Sequence, residues 1–69
     1  MDYLKLRGKI REVCKSEKAF AHELGISNAT VSLKLNGKAQ WNMSEVRKSC
    51  IILSIPYSEI DKYFFSSLT

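Results

Sequence analysis

Scarcities narrow this sequence first. No stretch approaches the run of roughly 18 apolar residues that spans a bilayer, so no membrane contact is expected. The start, Met1-Asp2-Tyr3-Leu4-Lys5, mixes charge with apolar residues and lacks the apolar stretch and cleavage site of a secretory signal. A bacterial cytoplasmic protein, nucleoid-associated by function, is the expectation. Cysteine occurs only at Cys14 and Cys50, without CxxC spacing, and His22 is the single histidine. No metal-ligand set is legible, and no metal or other cofactor is expected. The two thiols read as reduced, packed small hydrophobes, with one disulfide as the other reading. No motif pairs His22 with a Ser or Cys nucleophile, so no catalytic residue is named and the chain is not read as an enzyme.

Sequence length and composition set the frame for what is present. The 69 residues leave room for one domain, 1–69, with one core. A composition of 45% hydrophobic and 26% charged residues is globular rather than disordered. Eleven Lys and Arg stand against seven Asp and Glu, a net charge of +4. Ten of the eleven cations lie at or before Lys48, against five of the seven carboxylates. Such asymmetry is an electrostatic footprint for a polyanion, with a charged, solvated helix face as the alternative.

Helical periodicity runs through the whole chain, and the predicted fold class is all-α, a bundle of five short helices with no strand, repeat or flexible linker. Leu6, Ile10 and Val13 at i, i+4, i+7 predict a helix over about 3–14, weakened at Gly8. Ser16 as N-cap, then Phe20, Ala21 and Leu24 on one side, predict a second helix that stops at Gly25. Ser27 caps a third, in which Val31 and Leu35 form the buried pair and Asn36-Gly37 supplies a left-handed stop. After a connector from Lys38 to Trp41, Asn42 and Glu45 have the spacing of a capping box. Met43, Val46, Cys50 and Leu53 then keep one face until Pro56 breaks the helix. The last helix, about 57–65, is predicted to bury Ile60, Tyr63 and Phe64, with Tyr57 and Phe65 as further core or staple residues and a partner surface as their alternative role.

The second and third helices, joined by a glycine turn of about three residues, form a helix-turn-helix pattern over about 16–35. Ala21 is small where a second helix crosses, Gly25 accepts the turn, and Ile26, Val31 and Leu35 seat the third helix. Asn28, Thr30, Ser32 and Lys34 then face outward as short or flexible hydrogen-bonding groups rather than as Glu and Lys pairs.

The stretch from Ser16 to Ser32, Ser-Glu-Lys-Ala-Phe-Ala-His-Glu-Leu-Gly-Ile-Ser-Asn-Ala-Thr-Val-Ser, closing with Leu35-Asn36-Gly37-Lys38, resembles the Cro/CI (lambda-repressor-like, XRE) helix-turn-helix family. The whole chain is similar to that family's small phage and prophage regulators. The resemblance implies a compact five-helix DNA-binding domain whose third helix lies in the major groove of a double-stranded DNA operator. Its base-contacting positions would be Asn28, Ala29 and Leu33, with Thr30 and Ser32 at the margin. Ser27, Lys34, Asn36, Lys38, Lys18 and, at the family's usual glutamine position, Glu17 would meet the phosphate backbone. Asn suits adenine, and Ala and Leu suit thymine methyls, so an A·T-containing half-site is expected. So short a reading helix implies a homodimer, at least on DNA.

Two residues depart from the pattern. Glu17 cannot donate to a phosphate. Lys34 stands where the family is aliphatic, so its stem is expected to be half buried with the ammonium reaching outward. The expected function is a Cro-like repressor of transcription. The alternative is an antirepressor or protein-interaction module that keeps the fold but binds another regulator, a second phage regulator among them; Glu17 favours it and the basic first 48 residues oppose it.

Overall fold

The computed structural model describes residues 3–65, and among these the protein is all-helical. Helix α1, Leu4–Cys14, follows a left-handed Tyr3 and buries Leu6 and Ile10. Val13 was expected on the same stripe but is 40% exposed. The helix ends two residues later at a left-handed Lys15, and Cys14 packs against the core there instead.

Helix α2, Glu17–Leu24, is capped by Ser16, whose Oγ accepts the Ala19 N–H at 3.0 Å, and it buries Phe20, Ala21 and Leu24. It stops at Gly25, φ 84°, where the Gly25 and Ile26 N–H groups both donate to the Ala21 carbonyl at 2.9 and 3.1 Å. An added Cβ at Gly25 would meet nothing within 4 Å, so the dihedral rather than crowding demands glycine.

Helix α3, Asn28–Leu35, starts after Ser27, whose Oγ accepts the Thr30 N–H at 3.1 Å. It ends as predicted on Asn36-Gly37: Gly37 has φ 75°, and the Lys38 N–H closes onto the Leu33 carbonyl at 2.8 Å.

Helix α4, Met43–Leu53, begins with the predicted capping box, Glu45 N–H to Asn42 Oδ1 at 2.8 Å and Asn42 N–H to Glu45 Oε1 at 3.0 Å. Its buried stripe is Val46, Ser49, Cys50 and Leu53. Met43, placed in the core by its spacing, is 60% exposed because it is the first helical residue and stands ahead of that stripe. Ser49 is buried because its hydroxyl donates to the Glu45 carbonyl at 2.7 Å, four residues back. Both cysteines are free; burial pushes the Cys50 thiol up, and burial followed by the nearby Glu23 does the same to Cys14.

The fifth helical segment is irregular, a 3-10 turn at Tyr57–Glu59 followed by a π-helical Asp61–Phe65. Phe64 is buried, while Ile60 and Tyr63 pack half-buried against the core. Tyr57 and Phe65, expected as core or staple residues, are 63% and 45% exposed. Phe65, further round the helix, is left toward solvent, and its neighbour Phe64 takes the inner place. It packs edge-on against Trp41 with ring centroids 5.3 Å apart, and Trp41 meets Tyr3 at 6.4 Å. Among the described residues the indole N–H of Trp41 is buried without a hydrogen-bond partner. Among the described residues no helix is long and apolar enough to cross a membrane.

Candidate functional site

The tight α2–α3 pair brings the predicted contact residues to one end of the fold, and their hydrogen bonds decide what that end can do. Ser27 is occupied by its own cap and by a 2.8 Å contact with the Thr30 hydroxyl. Asn28 and Ala29 are exposed, Thr30 and Ser32 half-buried, and Leu33 is 47% exposed. Lys18 and Lys38 are exposed.

Lys34 contradicts the expectation that its ammonium reaches outward to a phosphate. It is buried, and Nζ donates to the Gln40 carbonyl at 2.6 Å, pairs with the Glu45 carboxylate at 2.9 Å and lies 5.8 Å from the Trp41 ring centroid. The connector supplies Gln40 and Trp41 and the first turn of α4 supplies Glu45, so the long stem runs inward to reach them. Burial alone would push the Glu45 carboxyl up; the Asn42 N–H and the Lys34 ammonium outweigh it and hold the group below its ordinary range.

Glu17 and Asn36 are also engaged. The Arg7 guanidinium donates to Glu17 Oε2 at 2.9 Å, to the Leu35 carbonyl at 3.0 Å and to Asn36 Oδ1 at 2.8 Å. One side chain of α1 thereby ties the first turn of α2 to the end of α3, and the Asn36 amide reaches back toward Ser32 Oγ at 3.4 Å. Arg7, Gln40 and Glu45 are the residues sequence reasoning missed here. Nothing local marks Arg7 out from the other cations of α1. Ten residues separate it from Glu17, and only the packing of α1 on α2 brings them together.

What remains outward on α3 carries no charge. Its only ionisable residue is Lys34, and that is buried. His22 is exposed, and among the described residues no group of three His, Cys, Asp or Glu side chains is placed to hold a metal ion.

Comparison with known proteins places this geometry. The solution structure of the modulator of repression of the temperate bacteriophage TP901-1 from Lactococcus lactis superposes with a TM-score of 0.84 at 44% identity, over 96% of this chain and 89% of that one. No curated protein matches. A family model described as a protein of unknown function, DUF739, matches residues 1–67.

These findings correct the Cro/CI identification and the operator-binding, Cro-like repressor inferred from it. The motif residues behind the resemblance are those any tight helical pair needs: a cap, a small residue at the crossing, a left-handed glycine and an Asn-Gly exit. They specify the turn and leave open what the outer face meets. The similar phage protein is a modulator of repression, and neither operator binding nor a homodimer is supported by it. By the match over residues 1–67, the chain belongs to the family described as protein of unknown function DUF739.

Proposed function

We propose that this protein is a non-enzymatic modulator of phage repression that acts in the cytoplasm by binding another regulator, itself a DNA-binding protein. The observation that carries the reading is the uncharged outer face of α3, where Lys34 is tied to Glu45 and Arg7 to Glu17 and Asn36, leaving Lys18 and Lys38 as the exposed cations near it. Binding a duplex rests on free cations at the phosphates, whereas the centre of a protein interface is depleted of charge. The 44% identity to a phage modulator of repression over nearly the whole chain supports the same reading. A net charge of +4 also opposes any mimicry of DNA, so the surface it meets on its partner is neutral or acidic.

The test uses a DNA-binding repressor from the genome that carries this chain's gene, with its operator. Mixed and passed over a sizing column, the two proteins are expected to elute as a complex. In a mobility-shift assay the chain alone should leave operator DNA unshifted while changing the shift produced by the repressor. Separate elution together with an unchanged repressor shift would overturn the proposal.

A further inference from the structure

Single exposed apolar residues are ordinary on a small protein, but three of the most exposed ones here share one side. Met43, Ile51 and Tyr57 are 60%, 74% and 63% exposed. Met43, Arg47 and Ile51 follow one another at four-residue spacing along α4, which puts them on one face, and Lys48 stands beside Arg47. A groove of about 300 Å³ runs from Ile51 over Pro56 to Tyr57. Arg47 and Lys48 are exposed and make no hydrogen bond or ion pair among the described residues. The one carboxylate of α4, Glu45, is turned toward Lys34 and the Asn42 N–H, so nothing on the helix offsets those two cations.

We infer that this face of α4, with the turn that follows it, docks an acidic amphipathic helix of the regulator. The inference rests on the function proposed above and names a surface that serves it in addition to the outer face of α3. The groove takes an apolar side chain of the incoming helix, and its carboxylates, one turn to either side, reach Arg47 and Lys48. A second copy of this chain fits poorly, because a symmetric contact would set Arg47 and Lys48 against their own counterparts. An anionic membrane fits poorly as well, since a surface helix needs a broader apolar face than Met43 and Ile51 provide on 11 residues.

Isothermal titration of the full chain against the same repressor, for wild type, Ile51→Glu and Arg47→Glu, tests this. Both positions are exposed, so the circular dichroism spectrum and melting temperature should stay those of the wild type. Each variant is expected to raise Kd by about tenfold or more. The Arg47→Glu loss should shrink when salt is raised from about 50 to about 300 mM, whereas the Ile51→Glu loss persists. Wild-type binding with both variants within about twofold of it overturns the inference and leaves the proposed function standing. Absence of wild-type binding overturns both. Vesicles of phosphatidylglycerol and phosphatidylcholine serve as the second probe. If the wild type binds them and Ile51→Glu abolishes that binding while sparing the repressor, the face belongs to a membrane and the inference fails.

Discussion

Two ion pairs of the same length cross this fold, and their surroundings make them different interactions. Lys34 and Glu45 meet at 2.9 Å with 9% and 14% of their side chains exposed, beneath the connector between α3 and α4. Arg7 and Glu17 also meet at 2.9 Å, but with 31% and 36% exposed, at the open seam of α1 and α2. The buried pair has given up most of its hydration, and each member now depends on the other and on the Gln40 carbonyl and Asn42 N–H around them. The seam pair keeps water on one side, and the guanidinium holds two further acceptors, so no single partner is indispensable to it. Distance alone would rank the two pairs equal. Desolvation makes the Lys34 side the brittle region and the Arg7 side the tolerant one.

The largest expected effect breaks the brittle region. Glu45→Ala removes the carboxylate, leaves a buried ammonium with only a carbonyl and a ring face, and deletes half of the α4 capping box. A loss of about 3–5 kcal/mol is expected, enough to unfold much of so small a domain at 37 °C. Thermal melting followed by circular dichroism measures it. A loss below about 1 kcal/mol would mean that water reaches Lys34 and that the contrast between the regions is false. The double change Lys34→Met with Glu45→Gln removes both charges together and should recover most of what the single change loses.

Acid sharpens the comparison with a smaller effect. The Glu45 carboxyl is held below its ordinary value in the folded state, so the unfolded chain binds that proton more readily. Its stabilising contribution is therefore complete above the ordinary carboxylate range, near pH 4.5, and is lost as the pH falls through the lower folded value. Urea midpoints followed downward from pH 6 should fall more steeply for wild type than for the Lys34→Met, Glu45→Gln double variant. Parallel curves would move the acid sensitivity elsewhere in the molecule.

The helices and their stops were legible in the sequence because each is written locally: Ser16, Ser27 and Asn42 as caps, Gly25 and Asn36-Gly37 as left-handed exits, and Leu6, Ile10, Phe20, Val31 and Leu35 as a core face. What was misread depends on tertiary surroundings. Periodicity assigned Val13 and Met43 to the core without knowing where the neighbouring helices end, and it gave the last segment a regular helix where a 3-10 turn and a π-helical stretch occur. The direction of Lys34 was unreadable because its partners, Gln40 in the connector and Glu45 beyond it, are placed by a path that no local rule fixes. The error about function has the same origin. The turn signature is local, but the inward turn of Lys34 and the engagement of Glu17 and Asn36 are decided by Glu45, Gln40 and Arg7 outside it.

A gain is expected at Gly8, on the tolerant side. This residue lies within α1, is exposed, and an added Cβ would meet nothing within 4 Å. Gly8→Ala should therefore stabilise the protein by about 0.5–1 kcal/mol through helix propensity. Differential scanning calorimetry would register this as a melting temperature higher by several degrees. No gain would mean that α1 is strained at Gly8 in a way its open surroundings do not reveal.

The smallest effect is the most discriminating for the seam. Glu17→Gln keeps an oxygen that can accept from Arg7 and removes the charge, while the guanidinium retains the Leu35 carbonyl and Asn36. Stability should change by less than about 1 kcal/mol at low salt, and the difference should vanish as salt screens the wild-type pair. The variant also frees one unit of cationic charge beside the end of α3. If withheld cations are what keep this protein off DNA, Glu17→Gln should show weak, salt-sensitive binding to DNA of any sequence where the wild type shows none. Fluorescence anisotropy with a labelled random duplex at low salt measures it. A variant that gains no DNA affinity would mean that the Arg7 clamp acts only on the fold, and that the uncharged outer face of α3 is by itself sufficient to exclude a polyanion.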